Sequence, residues 1–246
     1  MLAAARCECN LVSSCLFSGS YPYIDDKPDW IFTDYCLFFI SCLYDYYKET
    51  GDLEFVRELF GVARQQAELV CQIARGNHRL ELHPFIDWCP GLNKEVAFWG
   101  VYVYALKQFC YLADVLGEEC EKEKEEVKTA SEFLLDCFDE NAGLFVTKDG
   151  QVSQHSQVWG VLSGVLPTEK SAELVCKIAD IDTEYTMRTP FAVHYYLEAL
   201  YGCGMKEKVM EKIKDYWGKI LDCGFDCCPE CLTKTMILSP LIMPLN

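Results

Sequence analysis

The chain has 246 residues, half of them apolar, and a formal net charge of −16. That length and apolar content support one sizeable core. No Pro/Gly/Ser-rich linker interrupts them, so a single domain over residues 1–246 is expected. A surface this acidic, with no basic stripe, excludes a nucleic-acid partner, and no apolar run reaches the roughly eighteen residues needed for a membrane-spanning helix.

Met1 to Cys9 have neither the basic start nor the long apolar stretch of a secretory signal. Sixteen cysteines are scattered along the chain, most inside helical patterns, where a thiol acts as a small buried hydrophobe. They read as reduced, and the protein as cytoplasmic. Cys223, Cys227, Cys228 and Cys231 alone approach metal-ligand spacing. Two of them are adjacent, which makes a poor tetrahedron, so neither metal nor cofactor is expected.

The first long helix is expected from Pro28 or Asp29, with Ile31, Tyr35, Phe38, Phe39, Cys42, Leu43 and Tyr46 on one face. Thr50-Gly51-Asp52 stops it: Gly51 suits the left-handed position past a helix end, and Asp52 caps the next helix, which runs to about Arg75. A long connection, Gly76 to Leu92, carries Asn77, His78, Glu81, His83, Asp87 and Trp88. Val96–Leu116 is apolar almost all round, with Lys107, Gln108 and Asp114 its only charged or amide side chains. Glu118–Phe138 follows, opening on a charge run. Asp139 to Gly143 reads as a turn and Leu144–Val152 as a short β-ribbon around Asp149-Gly150.

A third helix pair covers Gln154–Val165 and Thr168–Ala179. Thr189-Pro190 opens the fourth with a capping hydroxyl and a proline at the first helical position. The last arm, Lys206–Asp222, repeats Val209, Ile213, Tyr216, Ile220 and Leu221 at helical spacing with lysines between. Four times, then, a nearly all-apolar helix precedes one with a single apolar stripe. Such hairpins have buried first arms and watered second arms. The fold class expected is all-α: an α/α toroid of about eight helices, (α/α)6-barrel-like but incomplete, with the short ribbon near 144–152.

Connections at one rim of such a fold form its binding face. Here they mix aromatic rings with carboxylates: Tyr21, Tyr23, Asp25, Asp26, Asp29 and Trp30; Phe85, Asp87 and Trp88; Asp226 and Glu230. Sugar sites need flat rings for C–H faces and carboxylates for hydroxyls, and paired carboxylates can cleave glycosides. The plainer reading makes Trp30 and Trp88 rim residues of the core and the acids caps or solvated charges. No serine sits in a nucleophile elbow and no glycine loop would cradle phosphate.

Phe85-Ile86-Asp87-Trp88-Cys89-Pro90-Gly91-Leu92, with the helix ending Leu112-Ala113-Asp114-Val115-Leu116-Gly117, resembles the central part of bacterial α-L-rhamnosidases of glycoside hydrolase family 78. Leu43 to Asp52, Gln154-His155-Ser156-Gln157, Thr189-Pro190-Phe191 and Tyr195 to Leu200 resemble further segments in the same order, from about Ser20 to Asn246. The resemblance implies an (α/α)6 barrel hydrolysing terminal α-L-rhamnosides with inversion. Glu230 would be its general base, Trp30 and Trp88 aromatic walls for the sugar, and Asp87 a hydroxyl acceptor. Pro229 stands where the family has an aromatic residue. The family's general acid lies in an Asp-x-x-Arg-Asp-Glu-like motif upstream of the match to Trp30. Cys7-Glu8-Cys9-Asn10 occupies that region here, so weak hydrolysis by this chain alone is expected. The expected partner is a small carbohydrate, a rhamnoside, with self-association through bare barrel wall left open. Two rivals remain: a non-catalytic carbohydrate-binding remnant, and a toroid epimerase or lyase using His83 or His155 as base.

Overall fold

The computed structural model describes residues 32–76 and 82–232. Among them are eight α-helices: α1 (Thr33–Thr50), α2 (Leu53–Ala74), α3 (Glu95–Leu116), α4 (Glu121–Asp136), α5 (Gln154–Leu162), α6 (Thr168–Lys177), α7 (Pro190–Gly202) and α8 (Lys206–Asp222). A two-stranded sheet, β1 (Phe138–Asp139) with β2 (Leu144–Phe145), and a 3-10 turn at Ile178–Asp180 complete them. The chain divides into two compact units, Met1–Phe85 with Phe98–Leu135 and Ile86–Ala97 with Asp136–Asn246, each as far as it is described.

In the first unit α1 and α2 form a hairpin whose turn works as its residues require. Gly51 takes φ 67°, and its amide donates to the Tyr47 carbonyl at 2.8 Å. Asp52 accepts the Phe55 amide on Oδ1 at 3.0 Å and the Tyr46 hydroxyl on Oδ2 at 3.1 Å. Asp52→Ala removes both acceptors, and a loss of about 1 kcal/mol in chemical denaturation is the expected result. Phe32 is extended, so α1 starts at Thr33; the expected start at Pro28 or Asp29 lies outside the described residues. Phe60 and Phe109 stack at 5.0 Å, and the Arg64 guanidinium lies over both rings while donating to the Glu119 carbonyl. The apolar centre of α3 is buried on every side, with Val101, Tyr102, Val103, Ala105 and Leu106 all inaccessible or nearly so.

In the second unit α5 packs against α6 and α7, and α7 against α8. His155 to Val161 are all buried, whereas α8 buries only Tyr216 and Ile220, with Leu221 turned outward. The alternation of enclosed and one-sided helices is therefore present here too. The ribbon differs from its expected pairing. Its partners are Phe138↔Phe145 and Asp139↔Leu144, so the strands flank the Asp139–Gly143 turn. Asp139 Oδ1 accepts the amides of Asn141 and Ala142, and its carbonyl takes the Gly143 amide, closing that turn tightly. Asp149-Gly150 makes a separate turn held by Thr147, whose hydroxyl lies against Asp149 and accepts the Gln151 amide.

Phe145 anchors this unit. Its amide donates to Gln157 Oε1 at 2.7 Å, and Gln157 Nε2 donates to its carbonyl at 2.8 Å. Its ring fills the space over Gly160, where a Cβ would sit 2.2 Å from the ring.

Candidate functional site

Three segments of the second unit converge. The first is the loop from Ile86 to Leu92. Ile86 is buried with φ 60°, an angle that a β-branched residue adopts only when its surroundings impose it. The next residue is held on several sides. The Asp87 side chain is fully enclosed. Its Oδ1 accepts the amide of Trp88 at 2.9 Å and the hydroxyl of Thr189 at 2.6 Å, and its Oδ2 lies 2.7 Å from His155 Nε2. The Asp87 carbonyl takes the Cys89 amide, and the Cys89 carbonyl that of Leu92.

The gripping residues come from two helix starts. Ser153 caps α5 by accepting the Ser156 amide at 3.1 Å, which sets the first turn that carries His155. Thr189 caps α7 by accepting the Ala192 amide at 3.0 Å, while its own proton goes to Asp87. Gln154, beside His155, donates to the Ile178 carbonyl and accepts the Met187 amide.

The third segment follows α8. Gly224, at φ 78°, ends the helix, and the Phe225 amide returns to the Ile220 carbonyl. Farther on, the Leu232 amide donates to the Arg188 carbonyl at 2.9 Å, an oxygen that also accepts the Tyr216 hydroxyl at 2.7 Å. Between these ties Glu230 is exposed, and its Oε1 accepts the Trp88 indole N–H at 2.7 Å. Its Oε2 has no hydrogen bond among the described residues. The Trp88 ring is 53% exposed beside it.

Of the expected site residues, then, Trp88 and Glu230 meet directly. Asp87 lies enclosed next to Trp88, with both oxygens engaged by internal partners. Trp30 lies outside the described residues. His155 is enclosed without solvent access, which removes it as the cleft base of an epimerase or lyase. His83, in the first unit, stacks on Phe32 at 5.8 Å. Sequence reasoning missed the linking roles of His155 and Thr189. The signal was the capping threonine before proline, read there as a helix start only.

The thiols nearby are poor nucleophiles. Burial pushes Cys89 up, with Asp87, Cys231 and Glu184 adding to it against the Arg188 charge. Burial likewise raises Cys231, with Asp87 and Glu230 adding and Arg188 opposing. Both stay protonated near neutrality, which disfavours thiolate chemistry. Among the described residues no group of three or more His, Cys, Asp or Glu side chains could hold a metal ion, and no helix is long and apolar enough to cross a membrane. An exposed ring, a carboxylate oriented by one hydrogen bond and a rigid floor can together bind a polyhydroxylated ring and activate a water.

No family model and no curated protein matches the chain. Solved structures do. A rhamnosidase from Klebsiella oxytoca with rhamnose bound is similar over 92% of this chain, with a TM-score of 0.78 and 30% identity. A glycoside hydrolase family 78 rhamnosidase of Bacillus sp. GL1 is similar over 82% of it, with a TM-score of 0.66 and 20% identity, a likeness of fold. The chain spans 46% of the Klebsiella protein and 23% of the Bacillus one. The all-α fold is thus that of an incomplete α/α toroid of the rhamnosidase kind.

Proposed function

We propose that this chain, a partial domain like those of the glycoside hydrolase family 78 rhamnosidases, supplies the general base and one aromatic wall of a site that hydrolyses terminal α-L-rhamnosides with inversion. The observation that carries this reading is the 2.7 Å bond from the Trp88 indole to Glu230. It holds one carboxylate oxygen beside an exposed apolar ring and leaves the other to take a proton from water. In an inverting enzyme the base and acid stand about 6.5–9.5 Å apart, with room for that water. The rhamnose bound in the Klebsiella protein supports a carbohydrate ligand here.

The acid partner is the weak point of the chemistry. General acid–base assistance contributes about 10²–10⁴-fold. A site with Glu230 alone should therefore bind rhamnose yet turn over aryl α-rhamnosides slowly or not at all. Robust turnover of an aryl rhamnoside would overturn the missing acid. The second reading is a non-catalytic carbohydrate-binding domain, favoured by the exposed Trp88 beside the Glu230 carboxylate.

Calorimetric titration with L-rhamnose tests the site. Saturable binding is expected, weakened about tenfold by Trp88→Ala, the equivalent of about 1.4 kcal/mol. No binding, or binding indifferent to Trp88, would remove the sugar reading.

A further inference from the structure

We propose that His155 and Thr189 are positioning residues: acting through the buried Asp87 carboxylate, they set the aim of the Trp88 indole and so of Glu230. This rests on the sugar-site reading above, which it deepens. Asp87 Oδ1 accepts the amide of Trp88, the very next residue, so the place of the carboxylate fixes the plane of the peptide on which the indole is mounted. That carboxylate is in turn held from two sides, by His155 in the first turn of α5 and by Thr189 at the cap of α7. Ile86, directly before this grip, has a left-handed φ of 60°.

A second observation separates this from ordinary core filling. His155 has no solvent exposure, and its buried Nδ1 has no hydrogen-bond partner among the described residues. An apolar side chain in that position would avoid leaving a polar nitrogen orphaned. The imidazole is kept for its other nitrogen, which meets the Asp87 carboxylate. Facing a carboxylate oxygen, Nε2 is the nitrogen that donates. Thr189 is committed in the same way: its one hydroxyl proton goes to Asp87 while its oxygen serves the Ala192 amide. Two helix starts thus reach Glu230 through hydrogen bonds joined by the covalent frame of Trp88: His155 or Thr189 to Asp87, Asp87 to the Trp88 amide, and the Trp88 indole to the Glu230 carboxylate.

The test reads the indole itself, by nitrogen–proton correlation NMR on the 246-residue chain. The Trp88 indole resonance is the one lost in Trp88→Phe, and Glu230→Gln marks where it falls when its acceptor is neutral. His155→Phe is expected to move this resonance toward the Glu230→Gln position. His155→Gln, whose amide nitrogen can donate from about the place of Nε2, is expected to return it. Thr189→Val and Thr189→Ser should behave as a second such pair. An indole resonance unmoved in folded His155→Phe or Thr189→Val overturns the proposal. So does a movement that the glutamine and serine variants fail to reverse, which would signal general damage to the core. If His155→Phe does not fold, the Thr189 pair decides on the same terms. The sugar reading fails separately: a wild-type chain that ignores rhamnose while its indole follows this pattern loses the substrate and keeps the positioning network.

Discussion

α-L-Rhamnosyl fluoride is expected to be hydrolysed by this chain to β-L-rhamnose, and Glu230→Gln to slow that reaction by about 10²–10⁴-fold. Fluoride leaves without being protonated, so a site that has a base and lacks an acid is not penalised as it is with an alkyl or aryl rhamnoside. The base still matters, because water must lose a proton as it attacks the anomeric carbon from the face opposite the leaving group. The substituted amide would keep the size of the side chain and accept the Trp88 indole on its oxygen, but it could not take that proton. Fluoride release followed by electrode, with the first-formed anomer read by NMR, gives both answers. Formation of the α-anomer first, or a glutamine variant as fast as the parent, would remove Glu230 from the base role.

Gly160→Ala is expected to destabilise the protein by about 3 kcal/mol, the upper end of ordinary overpacking. The added Cβ would meet three carbons of the Phe145 ring at 2.2, 2.4 and 2.8 Å. The ring has little room to retreat. Its backbone is clamped on both sides by the Gln157 amide, and its edge is packed against Phe138 at 5.1 Å. For a chain of this size that loss lowers Tm by about 6–12 °C. Phe145→Leu should be costly alone yet partly relieve Gly160→Ala, so a double-mutant cycle is expected to show strong favourable coupling. Purely additive losses would show that the ring moves aside more freely than its clamp suggests.

Much of the helical architecture was legible because it rests on periodicity and caps. The arm Lys206–Asp222 has the expected bounds, and α2 and α3 end within a residue of theirs, since Gly51, Asp52 and the burial of α3 on all sides are local signals. The ribbon's partner was not. Asp149-Gly150 and Asp139 to Gly143 both read as turns, and strand propensity does not rank them; side-chain acceptors on Asp139 and the Gln157 clamp on Phe145 do. Glu230 and Trp88 could be singled out by residue type and family resemblance, but 142 positions separate them, and no spacing rule reports such a contact. His155 was legible as part of a family-like segment and as a rival's base, not as the partner of Asp87. That it lies under Asp87 depends on an isoleucine taking a glycine-like backbone angle, which composition gives no reason to expect.

The Arg188 carbonyl, which holds both the Tyr216 hydroxyl and the Leu232 amide, makes one backbone oxygen a hinge pin for the segment from Cys223 to Leu232. A tilt of that helix which stretches one bond loads the other, so the helix and the segment bearing Glu230 travel together. Sequence changes far along α8 would then retune the depth of the Glu230 carboxylate without touching the residues of the proposed sugar site, a route by which selectivity could drift while contact residues stay the same.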